Sequence, residues 1–186
     1  MTGPDRTIEL ILDEIRAGLS GLDQAARARF VALLGERNRV FVVGVGRVRL
    51  ALEAFAKRLN HLGVPAHVVG ENSEPPLAPG DLLVVGSGSG SSLIPLAIAQ
   101  KARSLGGTVV HVGARADSPM APVAELTICL RTGNKTDRTA VASRQPMTSL
   151  FEQALWIYLD SICLELWEKL TPEQQRVATD NHANLE

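Results

Sequence analysis

A layered α/β fold, a three-layer αβα sandwich around a five-stranded parallel sheet, is the architecture this sequence predicts, and three observations predict it. Short apolar runs rich in valine and isoleucine recur along the chain: RVFVVG from Arg39, AHVVG from Ala66, DLLVVG from Asp81, TVVHVG from Thr108 and LTICL from Leu126. Most show almost no polar alternation, the texture of strands buried on both faces of a parallel sheet. Stretches of helical periodicity about a dozen residues long separate them, which implies right-handed βαβ crossovers and a doubly wound sheet.

The first 37 residues read as helix. Ile8, Ile11, Leu12, Ile15 and Leu19 recur at helical spacing, Gly21 interrupts, and Ala25 to Leu34 resumes the pattern. After the first strand, Leu52, Phe55, Leu59 and Leu62 mark one face of a helix that Gly63 and Pro65 close. The third strand opens into Gly86-Ser87-Gly88-Ser89-Gly90-Ser91-Ser92 and a helix from Leu93 to Leu105. Arg39–Gly46 and Asp81–Gly90, each with its helix, are two versions of one strand–glycine turn–helix unit. The connection RTGNKTDRTAVASRQPMT is polar and basic, with Arg131, Lys135, Arg138 and Arg144 against Asp137 alone. A link this long inside a compact domain is usually functional or mobile. The helix expected from Ser149 to Leu170 is apolar on nearly every side, and contact with a second subunit is the simplest way to cover it. Thr171-Pro172, with Gln174 completing a capping box, opens a short last helix before the polar tail NHANLE. One domain over 1–186 is expected, with helices in 1–37, the α/β core in 38–170 and a terminal helix and tail in 171–186.

Composition narrows the function classes. At 186 residues and 45% hydrophobic the chain makes one globular domain. A formal charge of −1 leaves no electrostatic footprint for nucleic acid or an anionic membrane. Cys129 and Cys163 lie inside apolar runs, read as buried free thiols, and have no metal-ligand spacing. The N-terminus lacks the apolar core of a signal peptide, and Glu152, Asp160, Glu165 and Glu168 interrupt the one long apolar run. A soluble cytoplasmic protein with no metal or other cofactor is expected.

The strongest local signal is the glycine-serine loop at 86–92. It falls between a buried strand and a helix N-terminus, where open α/β sheets bind ligands. Glycines let the backbone approach an anion, the amides at the helix start point at it, and hydroxyls add donors. Two nucleotide readings fail on the same residues. A Walker loop needs a lysine that this loop lacks, and Gly44-Val45-Gly46-Arg47-Val48-Arg49 has arginine at the third glycine of a dinucleotide fingerprint.

A phosphate loop alone marks a binder; turnover also needs titratable groups within reach. Glu152 falls in the first turn of the helix after the basic link. Ser149-Leu150-Phe151-Glu152 matches an S-x-x-E capping box, so Glu152 reads either as a helix cap or as a general base. His61, near the end of its helix, reads either as a general acid or as a cation satisfying terminal carbonyls. His67 and His111 alternate with valines and read as packing or edge residues. His182, in the tail, reads as solvent-exposed.

Six segments in order, FVVGVGR, AFAKRLNHLG, VVGE, GDLLVVGSGSG, QPMTSLFEQALWIYLD and HANLE, resemble the 6-phospho-3-hexuloisomerase family of SIS-domain (sugar isomerase) enzymes. The likeness spans nearly the whole chain from Arg39 onward. It implies a flavodoxin-like parallel sheet between helices, assembled as a homo-oligomer, tetramer or dimer, with sites near subunit boundaries. It implies interconversion of D-arabino-3-hexulose 6-phosphate and D-fructose 6-phosphate through an enediol, without metal or nucleotide, in the ribulose monophosphate route for formaldehyde. Carried over by position, Ser87, Ser89 and Ser92 would hold the substrate phosphate, with Gly46 and Arg47 from the first glycine turn. Glu152 would move the proton, His61 would act as acid or ring opener, and His182 would reach a neighbouring subunit's site. The chain departs from the family where G-x-G-R-S-G becomes Gly44-Val45-Gly46-Arg47-Val48-Arg49, and where Glu-Thr after SGSG becomes Ser91-Ser92. Val48 cannot donate a hydrogen bond, so Arg47 or Arg49 is the alternative grip on phosphate. A different sugar phosphate, or binding without turnover, stays open on these residues.

Overall fold

A computed structural model describes residues 4–133 and 141–182. Among them the chain runs α1 (Pro4–Gly18), α2 (Gln24–Glu36), β1 (Val40–Val43), α3 (Arg47–His61), β2 (Ala66–Val68) and β3 (Leu82–Gly86). It continues with α4 (Leu93–Ser104), β4 (Thr108–Gly113), β5 (Leu126–Cys129), α5 (Ser149–Glu168) and α6 (Pro172–Asp180). The five strands form one sheet in the order β2-β1-β3-β4-β5, with every neighbouring pair parallel. The expected five-stranded parallel sheet is present, and its order reverses between β1 and β3.

Strand parity assigns the two faces. Val40 and Val42 of β1, Leu82 and Val84 of β3, and Val110 and Val112 of β4 join a core with α2, α3 and α5. Phe41, Val43, Leu83, Val85 and Val109 point the other way, onto Ala99 and Ala102 of α4 and onto Met120. The sandwich is therefore uneven, with most helices on one face and α4 on the other. That unevenness corrects one expectation. Ile128 of β5 takes the side of the larger core, so its neighbour Cys129 turns to the thin side and is exposed; only Cys163 is buried.

Local chemistry sets the element ends. Gly21, at φ +64°, breaks the N-terminal helical region, and the Asp23 carboxylate caps α2 by accepting from the amides of Ala25 and Ala26. At the end of α3, Gly63 adopts φ +80°; its amide donates to Asn60 and that of Val64 to Leu59, a Schellman closure. The capping box of α6 forms as expected: Thr171 Oγ1 accepts from the amide of Gln174, whose side chain accepts from that of Thr171. Helix α5 ends at Glu168, two residues before the expected Leu170, with Lys169 as its cap.

At the amino ends of the strands, Arg39 and Asp81 form a two-pronged ion pair at 3.1 and 2.7 Å, and Asp81 also accepts from the amide of Ala78. This clasp ties the start of β1 to the start of β3. Asp81 is fully buried, so Asp81→Ala is expected to cost about 3 kcal/mol, because a half-buried guanidinium loses its partner. A lower urea midpoint at unchanged slope is the check.

No helix among the described residues is long and apolar enough to cross a membrane.

Candidate active site

The carboxyl ends of β1 and β3 stand side by side where the strand order reverses, and each runs into a glycine turn. Gly44 and Gly86 leave room for α3: a Cβ on either would stand about 3 Å or less from Val48 and Leu52. Val48 is thus a packing residue wedged above the two strand ends. Arg49 turns along its own helix to Glu53 at 2.6 Å. Among the described hydrogen bonds, neither residue at this departure from the family pattern makes one to the serine loop.

The loop after β3 is built as a tight turn. The Ser87 carbonyl accepts from the amide of Gly90, and Gly90 sits at φ +62°, where a side chain would be strained. The Ser87 hydroxyl, nearly buried, donates to Ser92 Oγ at 3.2 Å. Ser89 Oγ accepts from the amide and hydroxyl of Ser91. Ser92 is the N-cap of α4, yet its hydroxyl makes no capping hydrogen bond. Ser87, Ser89 and Ser92 therefore share one small loop at a helix N-terminus that no side chain caps. This arrangement suits an anion.

Helix α5 packs its first two turns against the loop. Phe151 presses its ring on Gly88, where a Cβ would stand 3.2 Å from the ring edge, and Leu155 abuts Gly86. Glu152, one residue on, accepts a hydrogen bond from Arg47 in the first turn of α3 and another from Thr148 Oγ1 at 2.9 Å. Of the two readings of Glu152, the Ser149–Glu152 capping box does not form. Thr148 is the N-cap, without a side-chain capping bond, and Ser149 donates instead to the Pro146 carbonyl. The reason is Met147, whose φ of 54° turns the chain so that the helix begins one residue before the motif would have it. Glu152 is consequently not committed to a cap. Its side chain is mostly buried, and a groove of about 370 Å³ lined by Ile11, Ile15, Arg47, Leu50, Glu152, Gln153, Trp156 and Ile157 opens beside it.

Arg47 is the site residue whose placement adds most to the reading. A cation at a helix N-terminus opposes the helix dipole, so a partner was to be expected for it. That partner is Glu152. Gly46, at φ 59° and ψ −139°, makes the turn that presents Arg47.

His61 and His182 are brought together, but elsewhere. Their rings lie 5.1 Å apart, and the Asn181 side chain donates to the His61 carbonyl. Both line a groove of about 470 Å³ with Arg58, Asp160, Cys163 and Trp167, between the carboxyl ends of α3 and α5 and helix α6. Burial, reinforced by Arg58, Lys57 and His182, pushes the His61 imidazole below its usual pKa. His61 and Arg47 stand at opposite ends of α3, about 21 Å apart at the helical rise. Within one subunit the two histidines do not meet Glu152. Of HANLE only His182 lies within the described residues, and Lys135, Asp137 and Arg138 of the basic link lie outside them.

Two further residues bear on the site: His111, expected only as a packing or edge residue, and Glu14, which the sequence reading missed. His111 is fully buried, with Nε2 2.9 Å from the Ser87 carbonyl. Glu14 of α1 is buried too, and accepts from Ser143 Oγ, the Arg144 amide and the Gln145 side chain at 2.7–3.0 Å, fixing the chain that leads into α5. The available signal was an acid between Ile11 and Ile15 on the apolar stripe of α1. Burial raises the Glu14 pKa, but the hydrogen bonds from Arg144, Ser143 and Gln145 outweigh it and hold it below the usual carboxylate range. Its stabilisation is therefore complete above the unfolded-state value and is lost as pH falls through the depressed folded value. Glu14→Gln is expected to lose about 1–2 kcal/mol at pH 7, a gap that closes in acid. Melting curves from pH 7 down to 3 would show whether it does.

These elements define a doubly wound α/β protein with a glycine-serine loop at its switch point. Residues 33–157 match the SIS domain, and the chain belongs to the SIS domain family. A protein of Mycobacterium gastri named 3-hexulose-6-phosphate isomerase is 34% identical across all of this chain and 94% of its own length. One of the same name from Bacillus subtilis is 36% identical over 95% of each chain. Among solved structures, a Methanococcus jannaschii protein, inferred to function as a 3-hexulose-6-phosphate isomerase, superposes with a TM-score of 0.82 at 24% identity. That likeness covers 97% of this chain and 99% of the other, and it shows a shared fold.

Proposed function

We propose that the protein interconverts D-arabino-3-hexulose 6-phosphate and D-fructose 6-phosphate, as a cytoplasmic homo-oligomer, tetramer or dimer, in the ribulose monophosphate route for formaldehyde. The observation that supports this reading is the packing of Phe151 and Leu155 of α5 on Gly88 and Gly86, in the helix that also carries Glu152, whose carboxylate is not tied up in a helix cap.

Ser87, Ser89, Ser92 and the first-turn amides of α4 hold the phosphate, and Gly46 lets Arg47 approach from the β1 side. Glu152 takes the proton from C2 of the 3-hexulose; the electrons of that C–H bond form the C2–C3 double bond, and O3 gains a proton. The enediol then collapses: O2 gives up its proton, C2 becomes the carbonyl carbon, and Glu152 returns a proton to C3. The carbonyl has moved from C3 to C2 with no net gain or loss of electrons. Arg47 keeps the carboxylate oriented for the first step. A group that exchanges protons with O2 and O3 is still needed, and His61 with His182 from an adjacent subunit meets that need. A neutral imidazole, as burial makes His61, serves as hydrogen-bond donor to an oxygen that gains charge. The exposed Ile8, Leu12, Trp156, Ile157 and Leu164 on α1 and α5 support burial against a second copy.

The experiment is incubation with fructose 6-phosphate in deuterated water. Deuterium incorporation at C3 and appearance of the 3-hexulose are expected. A second reading, phosphosugar binding without turnover, is favoured by Val48 and Arg49, which supply nothing to the cradle. Thermal stabilisation by fructose 6-phosphate with no deuterium uptake would establish it over the first.

A further inference from the structure

The serine loop rests on a buried histidine whose placement is more specific than packing requires. Strand β4 is apolar at Val109, Val110 and Val112, and places a polar side chain at 111, next to Val85 in register and just under the loop. The Ser87 carbonyl receives two donors, the Gly90 amide at 3.1 Å and His111 Nε2 at 2.9 Å. A carbonyl only accepts, so Nε2 carries the proton. Both lone pairs of that oxygen are then occupied, and it stays directed away from the loop's open side, where it would repel an anion.

The imidazole fills the space that side chains at two glycines would take. A Cβ on Gly113 would stand 2.4 Å from the ring, and one on Gly90 would stand 3.1 Å from the ring and 2.3 Å from Ser118 Oγ. Glycine at both positions is what allows the loop to close down on His111.

We propose that His111 is a positioning residue for ligand binding: its Nε2–H, donated to the Ser87 carbonyl, locks the Ser87–Gly90 turn so that the loop's amides and hydroxyls face the phosphate. The proposal rests on the reading of this loop as the phosphate cradle. Burial lowers the imidazole pKa, against a smaller upward pull from the Ser87 carbonyl, and so keeps the single-proton form at neutral pH.

The test compares the full-length wild type with His111→Leu, His111→Gln and Ser89→Ala, using fructose 6-phosphate as substrate and inorganic phosphate as competitive inhibitor. His111→Leu is expected to raise both KM and the phosphate inhibition constant about tenfold while kcat stays within about twofold. His111→Gln, which carries an N–H near the position of Nε2, is expected to recover most of that loss. Unchanged KM in His111→Leu, an equal loss in the Leu and Gln variants, or a fall in kcat alone would overturn the role. Nitrogen-15 spectra of the wild type supply an arm independent of any variant's folding: an Nε2–H tautomer is expected, and an Nδ1–H tautomer overturns the proposal. If phosphate fails to inhibit the wild type and Ser89→Ala leaves KM unchanged, the cradle reading itself falls, an outcome distinct from failure at His111 alone.

Discussion

Glu152→Gln abolishes deuterium uptake from solvent into fructose 6-phosphate, a loss of about 10²–10⁴-fold or more in kcat, with no shift in KM beyond a few-fold. The amide keeps the size of the side chain and an oxygen that accepts from Thr148, but it cannot take a proton from carbon. The fold has little stake in the charge. Thr148 rather than Ser149 is the helix cap, and Arg47 is 67% exposed, so the lost ion pair costs little stability. Melting temperature should stay within a few degrees of wild type. Full activity in this variant would remove Glu152 as the base, and a collapsed melting curve would mean that the loss of activity reports folding.

Two inactive variants recover activity when mixed. Glu152→Gln lacks the carboxylate and His182→Ala lacks an imidazole at the other end of α3, about a helix length away. If each site draws the carboxylate from one subunit and the histidine from another, hetero-assemblies contain some sites free of both substitutions. Random reassortment of pairs restores about a quarter of wild-type activity, since half the pairs are mixed and half the sites in those are intact. His182 is exposed in the isolated subunit, so its removal does not hollow the core. Mixing after mild dissociation, followed by the isomerase assay, reads this directly. No recovery despite demonstrated subunit exchange would confine each site to one chain and leave the histidine pair without a role in proton transfer.

How far the residues alone foretold this arrangement depends on whether the signal was local. The paired valines of β1, β3 and β4, the glycine turns after β1 and β3, and the Thr171 capping box depend on neighbours in the chain, and all three were legible. The motif at Ser149 left Glu152 open between cap and base, and the left-handed turn at Met147, just before the Thr148 cap, is not a conformation expected of a methionine. The Arg47–Glu152 pair spans 105 positions, and Glu14 reaches 131 positions to Gln145. No periodicity or motif encodes such distances. His111 read as a strand residue, correctly, but its side depends on strand parity counted from the sheet, and its partner lies 24 residues earlier. The separation of His61 from Glu152 was hidden for the same reason. Both sit in helix ends, and that α3 and α5 place these two at opposite ends emerges only once the helices are packed.

The clasp between Arg39 and Asp81 has a consequence for how this protein can change. It fastens the sheet at the rim farthest from the glycine turns, so the residues of the clasp are not those of the proposed sugar-phosphate site. Substitutions in the glycine turns at the opposite rim leave this clasp untouched. The fastening of the sheet and the proposed contacts to a sugar phosphate thus rest on separate sets of residues at opposite rims.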